Sequence, residues 1–150
     1  MPRYQDESIQ FDLPRDWQDR TIVAFAAPAR PGQERTANVV MTREELATSE
    51  TLSAYVDRHV EQLTERLEGF ELVERESRPL AGRSAVLLRI RSGSAPEKFE
   101  QRLTLLELPR RVVATITLTT PAEDAAQMGP LFDRILSTLR IGTQKQDAGP

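Results

Sequence analysis

The chain has 150 residues, enough for one domain with its own core, and its lack of cysteine excludes disulfides, thiol nucleophiles and cysteine-ligated metal. Its 20 basic and 23 acidic residues leave a net charge of -3, with no long block of either sign, which argues against nucleic acid as a partner. No apolar run approaches the roughly 18 residues of a membrane span, and the polar start Met1-Pro2-Arg3-Tyr4-Gln5-Asp6 is unlike an export signal, so the sequence reads as cytoplasmic, without stable membrane insertion.

Residues 8–13 alternate polar and apolar, which places Ile9, Phe11 and Leu13 on one half-buried face of a strand. Pro14 and Asp16 predict a turn. Trp17, the sole tryptophan, is expected to cover one end of the core there, with its indole N–H towards Asp19. Residues 21–27 are apolar at successive positions, so a strand there presents hydrophobic surface on both faces. Pro28, Pro31 and Gly32 mark a loop that returns the chain into a strand over 37–42. The hairpin so formed is expected to set Ile22 and Ala24 beside Val39 and Met41.

Thr51 is suited to cap a helix from Leu52 to about Glu68, whose apolar stripe is Leu52, Val56, Val60, Leu63 and Leu67. Gly69 stops it. Its other side mixes Asp57, Arg58, Glu61, Gln62, Glu65 and Arg66, the composition of a solvated face. Strands follow over 71–76, 81–91, 98–108 and 111–119, and the turn residues between them predict an antiparallel meander. In the last strand Val112, Ala114, Ile116 and Leu118 share one face, and Val113, Thr115, Thr117 and Thr119 the other. Thr120, Pro121 and Glu123 have the spacing of a capping box that opens a second helix, which Gly129 and Pro130 must interrupt or restart. Leu131, Phe132, Ile135, Leu136 and Leu139 form its expected buried stripe. Residues 143–150 lack an anchor and read as a frayed tail, leaving a single domain over 1–142. The fold class is α+β: one antiparallel sheet with two principal helices packed on it.

No catalytic constellation survives inspection. His59 is the only histidine, so histidine-based zinc sites are excluded, and its place near the apolar stripe favours packing over catalysis. Ser92-Gly93-Ser94 lacks the strand-to-helix elbow of a hydrolase and reads as a hairpin loop. Pro31-Gly32 is no phosphate loop. Asp16 with Asp19, and Glu61 with Glu65, read as surface carboxylates rather than an acid-base pair. Arg83, Arg89, Arg91, Arg110 and Arg111 read as a solvated sheet edge. The residues point to no enzyme, no metal and no cofactor.

The order Phe11, Leu13, Pro14, Trp17, Asp19, Thr21, followed by an apolar strand, a long helix and a meander, resembles the DcrB-like superfamily. More narrowly it resembles the Eag-type chaperones of type VI secretion. The likeness runs from about Tyr4 to Ile141 and includes the strand bearing Gln101. It implies a PsbP-like α+β fold, the class the residues themselves give. It also implies a small non-catalytic homodimer in the cytoplasm, which binds the apolar N-terminal helices of a secreted effector and keeps them soluble until loading onto the secretion spike. The client-binding residues it implies are Ile22, Ala24, Val39 and Met41 on the sheet, with Gln62 and Gln101 as polar contacts. Ala24 and Met41 depart from the larger or more polar types the resemblance leads one to expect. Without the resemblance, residues 22–27 read as a strand covered on both faces by the chain's own helices. Two alternatives stay open: an envelope factor of DcrB type, which needs an export signal, and a small-ligand-binding module, which needs a closed pocket.

Overall fold

The computed structural model describes residues 3–142 other than Asp19 and Glu34. The 143–150 tail and the Trp17–Asp19 contact therefore fall outside the described residues. In chain order the elements are β1 (Arg3–Gln5), β2 (Gln10–Asp12), β3 (Val23–Ala26), β4 (Asn38–Glu45), α1 (Leu52–Arg66), β5 (Glu71–Leu80), β6 (Arg83–Ser94), β7 (Glu97–Leu108), β8 (Val112–Pro121) and α2 (Ala125–Ser137). β1 and β2 form a separate hairpin, and the other strands form one six-stranded antiparallel sheet in the order β3-β4-β8-β7-β6-β5. The expected meander is the β5 to β8 part of it, four of the six strands.

Alternation decides which residues each helix covers, because residues directly opposite one another in paired strands point to the same side. Val86, Leu88 and Ile90 of β6, Leu103 and Leu105 of β7 and Val113 of β8 lie on one face, where Leu52, Tyr55 and Val56 of α1 bury them. Ile116 and Leu118 of β8, with Val39 and Met41 of β4, lie on the other, under Phe132 and Leu136 of α2. The two helices thus cover different halves of opposite faces. Each face keeps a part less covered by helix: β3, β4 and part of β8 on the α1 side, and much of β5 and β6 on the α2 side, where α2 still reaches Arg102 of β7.

Local chemistry sets the ends of α1. Thr51 accepts a hydrogen bond from Ala54 N–H at 3.1 Å, satisfying one of the free amides of the first turn. At the other end Gly69 takes φ +65°, and a side chain there would strike the Gly93 carbonyl 2.6 Å away. The neighbouring Gly93 N–H donates to the Glu68 carbonyl at 2.7 Å, which fastens the end of α1 to the β6–β7 hairpin.

Several expectations fail for identifiable reasons. Trp17 is 60% exposed and caps no core, and Ile9 and Phe11 are also exposed because β2 pairs only with β1. α2 begins after a 3-10 turn at Ala122–Asp124, and Thr120 is still in β8, so no capping box forms. Gly129 and Pro130 do not break α2, which runs through both. A side chain at Gly129 would meet the Arg102 guanidinium, with Cζ 2.7 Å away, so the missing Cβ makes room for that arginine under the helix. Phe132 and Leu136 face the sheet, with Met128 and Leu139 packed beside them; Leu131 and Ile135, expected in the same stripe, are exposed.

Candidate functional site

The register of β3 on β4 decides the geometry of the expected cradle. Val23 pairs with Met41, Ala24 with Val40, and Phe25 with Val39. Ala24 therefore shares its face with Val40, whereas Val39 and Met41 lie on the opposite side, partly buried beneath α2. The hairpin pairing read from the sequence is off by one residue. The 28–36 connection is too long to fix register by turn type, and a slip of one exchanges the two faces.

The α1-side face of β3, β4 and β8 carries Ala24 and Ala26, then Val40 and Thr42, then Thr117 and Thr119. Ile22, one residue before β3, is 65% exposed at its margin. Gln101 of β7 lies on the same face opposite Thr119, to whose Oγ1 it donates at 3.0 Å. Burial falls away across this surface: Leu103 and Leu105 are covered by α1, Thr117 and Val40 are half-buried, and Ala24 is exposed.

α1 forms the wall. Tyr55 donates its hydroxyl to Glu44 Oε2 at 2.9 Å, which ties the helix to β4. Burial first, then Glu44, pushes the Tyr55 hydroxyl up to about 12, so it remains a donor. His59 stacks on Tyr55 with ring centroids 6.1 Å apart, and burial holds its imidazole below the usual histidine range. His59 is thus a boundary residue beside Tyr55, as its spacing suggested. Gln62, half-buried, follows Tyr55 by seven positions and His59 by three, so helical spacing carries this row along the trough. Of the six residues implied by the resemblance, the structure brings Ala24, Gln62 and Gln101 to one side, with Ile22 exposed at the margin. It places Val39 and Met41 on the other. Val40, Thr42, Thr117 and Thr119 were missed; the polar-apolar alternation of β8 carried the signal for its two threonines.

Among the described residues no group of three or more acidic or histidine side chains could hold a metal, and no helix is long and apolar enough to cross a membrane. Of the arginines read as a sheet edge, Arg89 and Arg91 instead meet the buried Glu100, and Arg111 donates to the Ala47 and Glu50 carbonyls at 2.7 Å.

The DcrB family matches residues 9–138. The chain belongs to the DcrB family. As a DcrB protein it is 30% identical over 139 residues to effector EagT6 of Pseudomonas aeruginosa, covering 93% of this chain and 95% of that one. The Eag likeness read around Trp17 thus extends over nearly the whole sequence. Among solved structures, a protein of unknown function from Pseudomonas aeruginosa, PA94, superposes with a TM-score of 0.80 at 29% identity, over 95% of this chain and 98% of the other. Cyanobacterial PsbP from Synechocystis sp. PCC 6803 matches at TM-score 0.54 and 18% identity, over 94% and 92% of the two chains. The α+β class of this DcrB protein is therefore the one its residues gave, and its PsbP-like fold the one the resemblance implied.

Proposed function

We propose that this DcrB protein is a cytoplasmic, non-catalytic chaperone and adaptor that holds apolar N-terminal helices of a type VI secretion effector before loading. The observation that carries the reading is the half-open trough between α1 and the β3 edge, floored by Ala24, Ala26, Val40 and Thr117. The 30% identity to effector EagT6 supports the secretion context.

The dimensions suit one helix. Three strands about 4.8 Å apart give a floor roughly 10–15 Å wide over the four residues of β3, about 14 Å, and β4 with β8 carries a narrower floor on towards about 27 Å. An apolar helix of about 20 residues is roughly 10 Å across and 30 Å long. Small residues at Ala24 and Ala26 keep the floor low, and the hydroxyls and glutamines along its inner side offer hydrogen bonds that fix register. Client burial at about 25 cal/mol per Å2 is the main driving force, offset by the entropy of association.

A single trough covers only one side of a helix that is apolar all round. A second copy supplies the opposite side, and the protein acts as a homodimer in this reading. Light scattering of the protein alone and with client checks that assignment; a monomer in both states counts against it.

The decisive experiment uses the register. Val40→Asp and Ala24→Asp place a carboxylate on the trough floor and should weaken retention of a co-expressed client helix by about 2 kcal/mol or more, roughly thirtyfold. Val39→Asp lies under α2 and should lower stability instead. If folded Val40→Asp and Ala24→Asp still keep the client soluble, the trough is not the binding face.

A further inference from the structure

On the other face, a cleft of about 580 Å3 lies between β5 and the inner side of α2. Its apolar lining is Leu80, Leu87, Phe132 and Leu136, contributed by both the sheet and the helix. That volume is typical of small-molecule sites.

The polar groups inside the cleft are of one kind. Of its lining residues that are not exposed, those with polar side chains are Arg89, Arg102 and Thr104. Arg89 and Arg102 are direct cross-strand partners, so their guanidiniums start from neighbouring positions on one face. Glu100, whose side chain is 3% exposed, holds both by their Nε atoms, at 3.1 Å from Arg89 and 3.5 Å from Arg102. Arg102 is further seated against Gly129 of α2. Positioning through Nε turns the terminal N–H groups of Arg102 towards the underside of α2 and leaves those of Arg89 towards the cleft, where the exposed Glu74 comes no nearer than 4.0 Å. Thr104, one register step along from Arg102 and 1% exposed, has a buried hydroxyl with no hydrogen-bond partner. A buried polar atom without a partner is uncommon, and this one lies in the wall behind the two arginines.

The carboxylates of the cleft sit at its mouth. Glu74, Glu76 and Asp133 are exposed, and Glu74 approaches Arg89 only to 4.0 Å. Water screens them more than it screens the inner guanidiniums. Arg78, also exposed there, offsets one of the three, and the remaining acids disfavour a ligand with several negative charges. An interior of donors with an apolar wall, and a mouth that is acidic on balance, calls for one anionic acceptor group on an apolar body.

We propose that this cleft binds a small organic monocarboxylate, with its carboxylate on Arg89 and Arg102 and its apolar body against Leu80, Leu87, Phe132 and Leu136. The site is independent of the trough on the α1 side, and of whether the protein is a chaperone.

The test is titration of the full chain with octanoate below its micellar range, followed by calorimetry and amide NMR, with octanol, octylammonium and inorganic phosphate as comparators. Octanoate should saturate one site and perturb Leu87, Thr104 and Phe132, while the comparators bind at least tenfold more weakly. Arg89→Gln should weaken octanoate at least tenfold. Val40→Asp, on the other face, should leave octanoate binding unchanged. Octanol or phosphate binding as tightly as octanoate, or a folded Arg89→Gln protein with unaltered affinity, overturns the assignment.

Discussion

Replacing Glu100 by glutamine tests the charge arrangement on which the α2 side of the sheet depends. The carboxylate is almost fully buried and meets Arg89 at 3.1 Å, Arg91 at 3.5 Å and Arg102 at 3.5 Å. Removing one partner of a buried ion pair costs about 3–5 kcal/mol when the other is left dry. Here the orphaned partners are arginines that are 26–50% exposed and can recover water, which reduces the loss. Glutamine keeps the volume but turns part of the acceptor surface into a donor facing guanidinium groups. The expected cost is about 2–3 kcal/mol. With a urea slope of about 2 kcal/mol per M, the unfolding midpoint should fall by roughly 1–1.5 M. The comparison is Glu74→Gln, an exposed carboxylate 4.0 Å from Arg89, which should cost about 0.5 kcal/mol or less. Hydrogen exchange in α2 should quicken in Glu100→Gln, because Arg102 supports Gly129 from below. A midpoint shift under about 0.3 M, or equal effects of the two substitutions, refutes the view that Glu100 organises this face.

Thr51→Ala removes the side-chain cap of α1 and should cost about 1 kcal/mol by chemical denaturation. Gly69→Ala meets both a positive φ and the Gly93 carbonyl, so the midpoint should report a loss of about 2–3 kcal/mol. His59 has a folded pKa below its unfolded one because burial disfavours the imidazolium. The unfolded chain therefore binds the proton first, and stability is lost as pH falls below the ordinary histidine range, down through the lowered folded value. His59→Phe should flatten that part of the stability profile relative to wild type; an unchanged slope removes His59 as its source.

The elements that local chemistry specifies could be read in advance. α1 has a capping threonine, a 3.6-period stripe and a glycine stop, and β6 to β8 have long alternating runs, so their existence, order and faces followed from the residues. Features that depend on contacts between distant segments did not follow. Trp17 looked like a core residue because large rings are usually buried, yet nothing in its neighbourhood specifies a partner surface. Pro130 looked like a break, but inside α2 its missing N–H costs one helical bond, and Gly129 is explained only once Arg102 lies beneath it. The trough was legible as a strand with two apolar faces. Which residues line it depended on a register that the 28–36 loop left open.

β7 contributes to both open surfaces through consecutive residues: Gln101 turns towards Thr119 on the α1 side, and Arg102 turns towards Glu100 and Gly129 on the α2 side. This limits how the gene can diverge. Point substitutions can alter either surface separately, but gaining or losing one codon within β7 would exchange glutamine and arginine between faces and spoil both surfaces at once. Outer strand β5 already absorbs an irregularity between Leu72 and Glu74, with no strand beyond it to misalign. Length variation among descendants of this sequence should therefore collect at the sheet margin and in the 28–36 loop, while β7 keeps its residue count even as its side chains change.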